Sequence, residues 1–128
     1  MVITFLLINL NSYSQAINTS NYGYYTANMQ YVTSSNVNSS GTVRLFSYSS
    51  GTIEVSNSKH DTERTIHGDN ITTYTWISNG GVWAESQTWV ISKDAESGKL
   101  YVLFTRRVQN EGSEPWYVFG VGTLTKDY

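Results

Sequence analysis

Two stretches near the C-terminus constrain the fold more than anything else in the chain: KLYVLFTRRV at 99–108 and PWYVFGVGTL at 115–124. Both alternate with a period of two, the signature of an extended strand. In the first, Leu100, Val102, Phe104 and Val108 share one face, with Tyr101, Leu103, Thr105 and Arg107 on the other. In the second, Trp116, Val118 and Leu124 oppose Tyr117, Phe119 and Val121. Each strand is therefore apolar on both sides over part of its length. An open sheet would leave one of those sides in water. A closed barrel or a second packed layer is needed to use it. Gly120 and Gly122 lie two apart on one face, a spacing that marks a bent strand or another group approaching closely. A bent final strand suits closure, so a small barrel is preferred to a sandwich.

The rest of the chain agrees. Helical periodicity is nearly absent, and β-branched and aromatic runs are split by Gly, Asn, Asp and Ser. Seven strands are expected, at about 22–32, 42–48, 52–58, 70–78, 83–92, 99–109 and 116–125. SSG at 49–51 and SNGG at 78–81 read as tight turns, and Gly98 stands at a left-handed position in KDAESGK. The connections are short, so successive strands should pair antiparallel as a meander. The expectation is an all-β chain with one domain over 17–128.

The first sixteen residues, MVITFLLINLNSYSQA, read as a secretory signal. Val2 to Ile8 form an apolar run broken only by Thr4, and Ser14 and Ala16 supply small residues for a cut after Ala16. The run is far shorter than the roughly 20 residues that cross a bilayer as a helix. Export to the periplasm, cell surface or extracellular space follows as the expectation. Cysteine is absent, so disulfides and thiol chemistry play no part. The formal net charge is −2, which gives no electrostatic footprint for nucleic acid.

Both histidines, His60 and His67, lie in SKHDTERTIHGDN at 58–70 with five charged residues. Seven residues apart, they fall on opposite faces of an extended strand, so they make no metal site. The stretch reads as a polar connection or strand end whose charges keep a sheet end soluble. No metal and no cofactor are expected. Glu54, Glu63, Asp69 and Glu85 are the carboxylates available for acid–base work, and sequence does not bring any two together. Glu54 and Glu85 gain interest only if they face a barrel interior. Arg106 and Arg107 are adjacent on a strand, so at most one of them faces a lumen. No nucleophile elbow, P-loop or dinucleotide fingerprint is present, and an enzyme is not expected.

Aromatic residues are the strongest feature, at 14% of the chain. Tyr74 and Trp76 share a strand face, and the turn at 79–81 brings Trp89 beside them. With Trp116, these are the candidate ligand-binding residues, since aromatic faces line pockets and stack on rings. The competing role for each is core packing. The inferred architecture is similar to lipocalin-like and calycin-like small barrels. That likeness is one of architecture and carries no function. The G-x-W motif usual at the entry of lipocalins does not appear near the expected mature N-terminus, where NYGYY at 21–25 is the nearest stretch. The expected function is an exported, non-enzymatic binding module for a small apolar or glycan ligand. The competing class is a structural domain that meets a protein partner at a sheet edge.

Overall fold

The computed structural model describes residues 22–48 and 50–127. The expected signal at 1–16 lies outside the described residues. Nine strands follow one another: β1 (Gly23–Thr33), β2 (Asn38–Ser47), β3 (Thr52–Val55), β4 (Ser58–Asp61), β5 (Glu63–His67), β6 (Ile71–Asn79), β7 (Trp83–Lys93), β8 (Leu100–Asn110) and β9 (Trp116–Lys126). Among the described residues all pairings are antiparallel, and one sheet holds the nine strands in the order β4-β3-β2-β1-β9-β8-β7-β6-β5. The fold is all-β and nearly closed into a barrel, as the alternation required.

The two ends of the strand order, β4 and β5, are consecutive in the chain and separated only by Thr62. Counting antiparallel pairings round the sheet makes them run in the same direction. Residues 58–67 thus form one extended run that leaves β3 and joins β6. The Thr62 hydroxyl donates to the Gly51 carbonyl at this corner, and Arg64 Nη1 donates to the Tyr48 carbonyl at 3.4 Å. The polar stretch read as a connection is therefore strand for most of its length. The expected strand at 52–58 also stops early, at Val55. Ser56 and Asn57 both take positive φ, 47° and 73°, and turn the chain into β4. Seven expected strands became nine because polar residues hold a ladder as well as apolar ones when their outer face meets water.

Closure covers only one side of the two-sided strands, so the expectation that it would use both is corrected: their outer apolar residues stay in water. Val102 and Phe104 face inward and are buried, while Tyr101 and Leu103 face out. The core gathers Tyr25, Ala27 and Met29 from β1, Leu45 and Ile53 from β2 and β3, Trp89 and Ile91 from β7, and Leu124 from β9. Tyr74 crosses the interior to Ser47, with the two hydroxyls 2.6 Å apart and buried. Gly120 and Gly122 do what their spacing suggested. A Cβ on Gly120 would lie 2.8 Å from the Tyr31 ring and 2.9 Å from Met29 Cε. Those inward side chains of β1 pass over β9 because β9 has nothing there. Tyr31 thereby reaches Phe104 edge-on, with ring centroids 6.5 Å apart.

Candidate functional site

The four aromatic candidates divide between two places. Tyr74 and Trp89 sit directly opposite one another in the β6–β7 ladder, as the turn at 79–81 implied. Both are buried. Trp89 stacks on Phe104 with centroids 4.1 Å apart and planes 29° apart. Burial raises the pKa of the Tyr74 phenol, and the hydrogen bond with Ser47 works against that rise. In this arrangement both rings serve the core.

Trp76 and Trp116 lie further along the inner face, toward the end of the barrel where β6 meets β7 and β8 meets β9. Trp76 is half-buried and packs against His60 of β4, centroids 5.0 Å apart. Trp116 is exposed, with the Arg106 guanidinium 5.5 Å from its ring centre. Between them stand Gln87, Arg106 and Glu85, all on the inner face because they continue the alternation of Trp89 and Phe104. Arg106 Nε donates to Glu85 Oε1 at 2.6 Å, Arg106 Nη2 pairs with the same oxygen, and Gln87 Nε2 donates to Glu85 Oε2 at 3.2 Å. Arg107 points outward, over the Tyr117 ring. One arginine of the pair faces the lumen side and one does not.

The outer face carries a feature that the aromatic argument missed. Val90, Leu103, Val121 and Gln30 form one cross-strand row over β7, β8, β9 and β1. Thr88, Thr105, Phe119 and Val32 form the next row, and Ser92, Tyr101, Thr123 and Asn28 the row on the other side. Phe119 is 55% exposed, Val121 53%, and Tyr101 and Leu103 42% each. Shallow, open depressions mark the surface there. A groove of about 790 Å³ runs past Asn28, Val90, Tyr101, Leu103, Val121 and Thr123. A second, of about 450 Å³, is lined by Tyr31, Val32, Asn38, Ser39, Ser40 and Phe119. Gln30 and Val121 line both, so the two make one trough. Its lining holds no charged side chain. The signal was in the sequence: strands apolar on both sides need two partners, and closing the barrel covers only the inner one.

Other polar chemistry is dispersed. Among the described residues, no three or more His, Asp or Glu side chains gather as a metal site. Glu54 faces outward, where it accepts a hydrogen bond from the Tyr48 hydroxyl at 2.8 Å and raises the pKa of that phenol. His67, at the end of β5, lies beside Thr73, 3.2 Å away, whereas His60 is on β4. No family model, no curated protein and no solved structure matches this chain.

Proposed function

We propose that the chain is an exported, non-enzymatic binding module that holds a glycan along the outer trough of β6 to β2. The observation that carries this reading is the uncovered trough itself. An aromatic and aliphatic floor formed by Tyr101, Leu103, Phe119 and Val121 is edged by the amides of Asn28, Gln30 and Asn38 and by the hydroxyls of Ser92 and Thr123. A sugar chain presents that mixture, with C–H faces to stack and hydroxyls to pair. A small apolar molecule uses the floor but leaves the amides idle, so it ranks second.

Size favours a slender ligand over a protein. Three rows over four strands cover roughly 20 by 15 Å, or about 300 Å². A stable protein interface takes about 800 Å² from each partner. Apolar patches of about 300–600 Å² on monomers are often functional. The competing class, a domain that meets a protein at a sheet edge, has less support. The edge run 58–67 carries Lys59, Asp61, Glu63 and Arg64, and such charges discourage strand addition.

Titration of the protein against a panel of neutral oligosaccharides and lipids tests the reading. Phe119→Ala and Tyr101→Ala should each weaken glycan binding by about 1–3 kcal/mol, by analogy with ring stacking on nucleic-acid bases. Both side chains are exposed, so urea midpoints should stay close to that of the parent. Glycan binding that survives both substitutions, or a parent that binds nothing on the panel, would overturn it. Export is tested by sequencing the N-terminus of protein from its native host. A mature start near residue 17 is expected, and a start at Met1 would refute export through this signal.

A further inference from the structure

The polar cluster at the end of the barrel lies on the opposite face of the sheet from the trough, and the argument for it does not depend on the trough. An interior otherwise without charge among the core residues ends there in a carboxylate and a guanidinium. The Glu85 side chain is 5% exposed and that of Arg106 38%. Burying such a pair gives little stability, since apolar residues of similar volume often do as well or better. Its geometry is more informative than its energy. Glu85 Oε1 takes the Nε edge of the guanidinium and Oε2 takes Gln87. The end-on edge of Arg106, Nη1 with the second hydrogen of Nη2, is left outside this ion pair as two parallel donors, on a side chain that is 38% exposed. Gln87 gives one amide hydrogen to Glu85, and its carbonyl oxygen remains an acceptor. The indole of Trp116, itself 39% exposed, stands beside the guanidinium and offers an apolar plane.

We propose that Arg106, Gln87 and Trp116 form a second binding site, for a single uncharged sugar ring, with Glu85 as the positioning residue that aims Arg106. The charge balance selects the class of ligand. Glu85 cancels the charge of Arg106, and the chain as a whole carries −2. A ligand carboxylate would add an uncompensated negative charge next to a buried one. Sugar hydroxyls satisfy the two donors and the acceptor without adding charge, and one face of the ring can lie on the indole.

The test follows the indole N–H signal of Trp116 by NMR in the whole protein. The probes are the methyl glycosides of glucose, galactose and mannose, with glucuronate and galacturonate as their acidic counterparts. At least one neutral glycoside should shift the Trp116 signal with a Kd in the mM range, and the matching uronate should bind less tightly. Arg106→Lys should weaken neutral binding by about tenfold, because an ammonium cannot present two parallel donors. Glu85→Gln keeps the shape of the side chain and one of its two acceptor oxygens, and it unmasks the arginine charge. It should invert the preference toward the uronate, a change that loss of packing alone does not produce. Melting curves of both variants check that each is folded. Three results would overturn the proposal: no Trp116 shift at ~50 mM of any glycoside, a parent that prefers the uronate, or an Arg106→Lys variant that binds like the parent. Shifts confined to Tyr101 and Phe119 would assign the sugar to the trough and also overturn it.

Discussion

Three glycines in ladder positions should respond to the same alanine substitution in three different ways. Gly41, Gly120 and Gly122 all lie in strands, and none has a positive φ, so torsional strain is not the issue. What differs is the space where a Cβ would go. At Gly122 it would press into the backbone carbonyl of Asn28 in the neighbouring strand, and it would stand 2.7 Å from Met29 Sδ. Ordinary contact between such atoms is about 3.5–4.0 Å, so Met29 must retreat by roughly 1 Å. Met29 is buried and has little room to retreat, a kind of overpacking that costs about 1–3 kcal/mol. The Asn28 carbonyl belongs to the β1–β9 ladder and cannot rotate away, so one or two hydrogen bonds at about 0.5–1.5 kcal/mol each are strained as well. Gly122→Ala should therefore cost about 3 kcal/mol. At Gly120 the obstacles are the Tyr31 ring and Met29 Cε, both side-chain atoms. Tyr31 is only half-buried and can swing outward, so the cost should be about 1–2 kcal/mol. At Gly41 nothing lies within 4 Å, and alanine should be neutral or stabilising by a few tenths of a kcal/mol through the unfolded state. Urea unfolding of the three variants gives the order directly, with unchanged m-values as the check on two-state behaviour. A Gly122→Ala protein as stable as Gly41→Ala would refute the claim that β9 lies bare so that β1 can cross it.

Alkaline titration should expose the buried phenols. Burial raises the Tyr25 pKa to about 12, against an ordinary value of 10.0. Its contribution to stability is fully present below pH 10 and is lost as pH rises toward 12, at about 1.4 kcal/mol per pH unit. Tyr25→Phe should flatten that decline in denaturant midpoints measured from pH 9 to 12. Tyr74→Phe should cost about 1–3 kcal/mol at neutral pH, because it strands the buried Ser47 hydroxyl; an unchanged urea midpoint would contradict that. Trp89→Ala should cost about 3–5 kcal/mol, as for a large core ring, whereas exposed Trp116→Ala should cost far less, and melting curves of the pair separate core from surface.

The sequence carried the class of fold, the inner and outer faces of the last two strands and the pairing of Tyr74 with Trp89. All of these rest on a period of two, which short turns preserve from strand to strand. Two things escaped it. Strands β4 and β5 are polar, and an apolar pattern cannot reveal a strand whose neighbours, not its own side chains, hold it in place. The division of the aromatic candidates between core and surface is the other, since size alone does not distinguish a ring that fills a core from one that lies open. Trp89 fills the core, while the smaller Phe119 and Val121 lie open. Arg106 was half legible. Its adjacency to Arg107 showed that the two diverge, but finding Gln87 opposite it and Glu85 on the diagonal needed the register of β7 against β8.

The place of β9 between β1 and β8 bears on how the protein is made. Tyr25 pairs with Lys126, so the first described strand waits for the last described one. Until Trp116–Lys126 has left the ribosome, the chain can form only two half-sheets, β1 with its successors and β8 with its predecessors. Each then ends in an eleven-residue edge with unpaired N–H and C=O groups, and the edge at β8 also bears Leu103 and Phe104. Long apolar edges of this kind recruit other chains. The nascent protein is thus vulnerable to aggregation for as long as β9 is missing. A chain interrupted anywhere between β8 and β9 would hold nearly all of these strands and two open flanks.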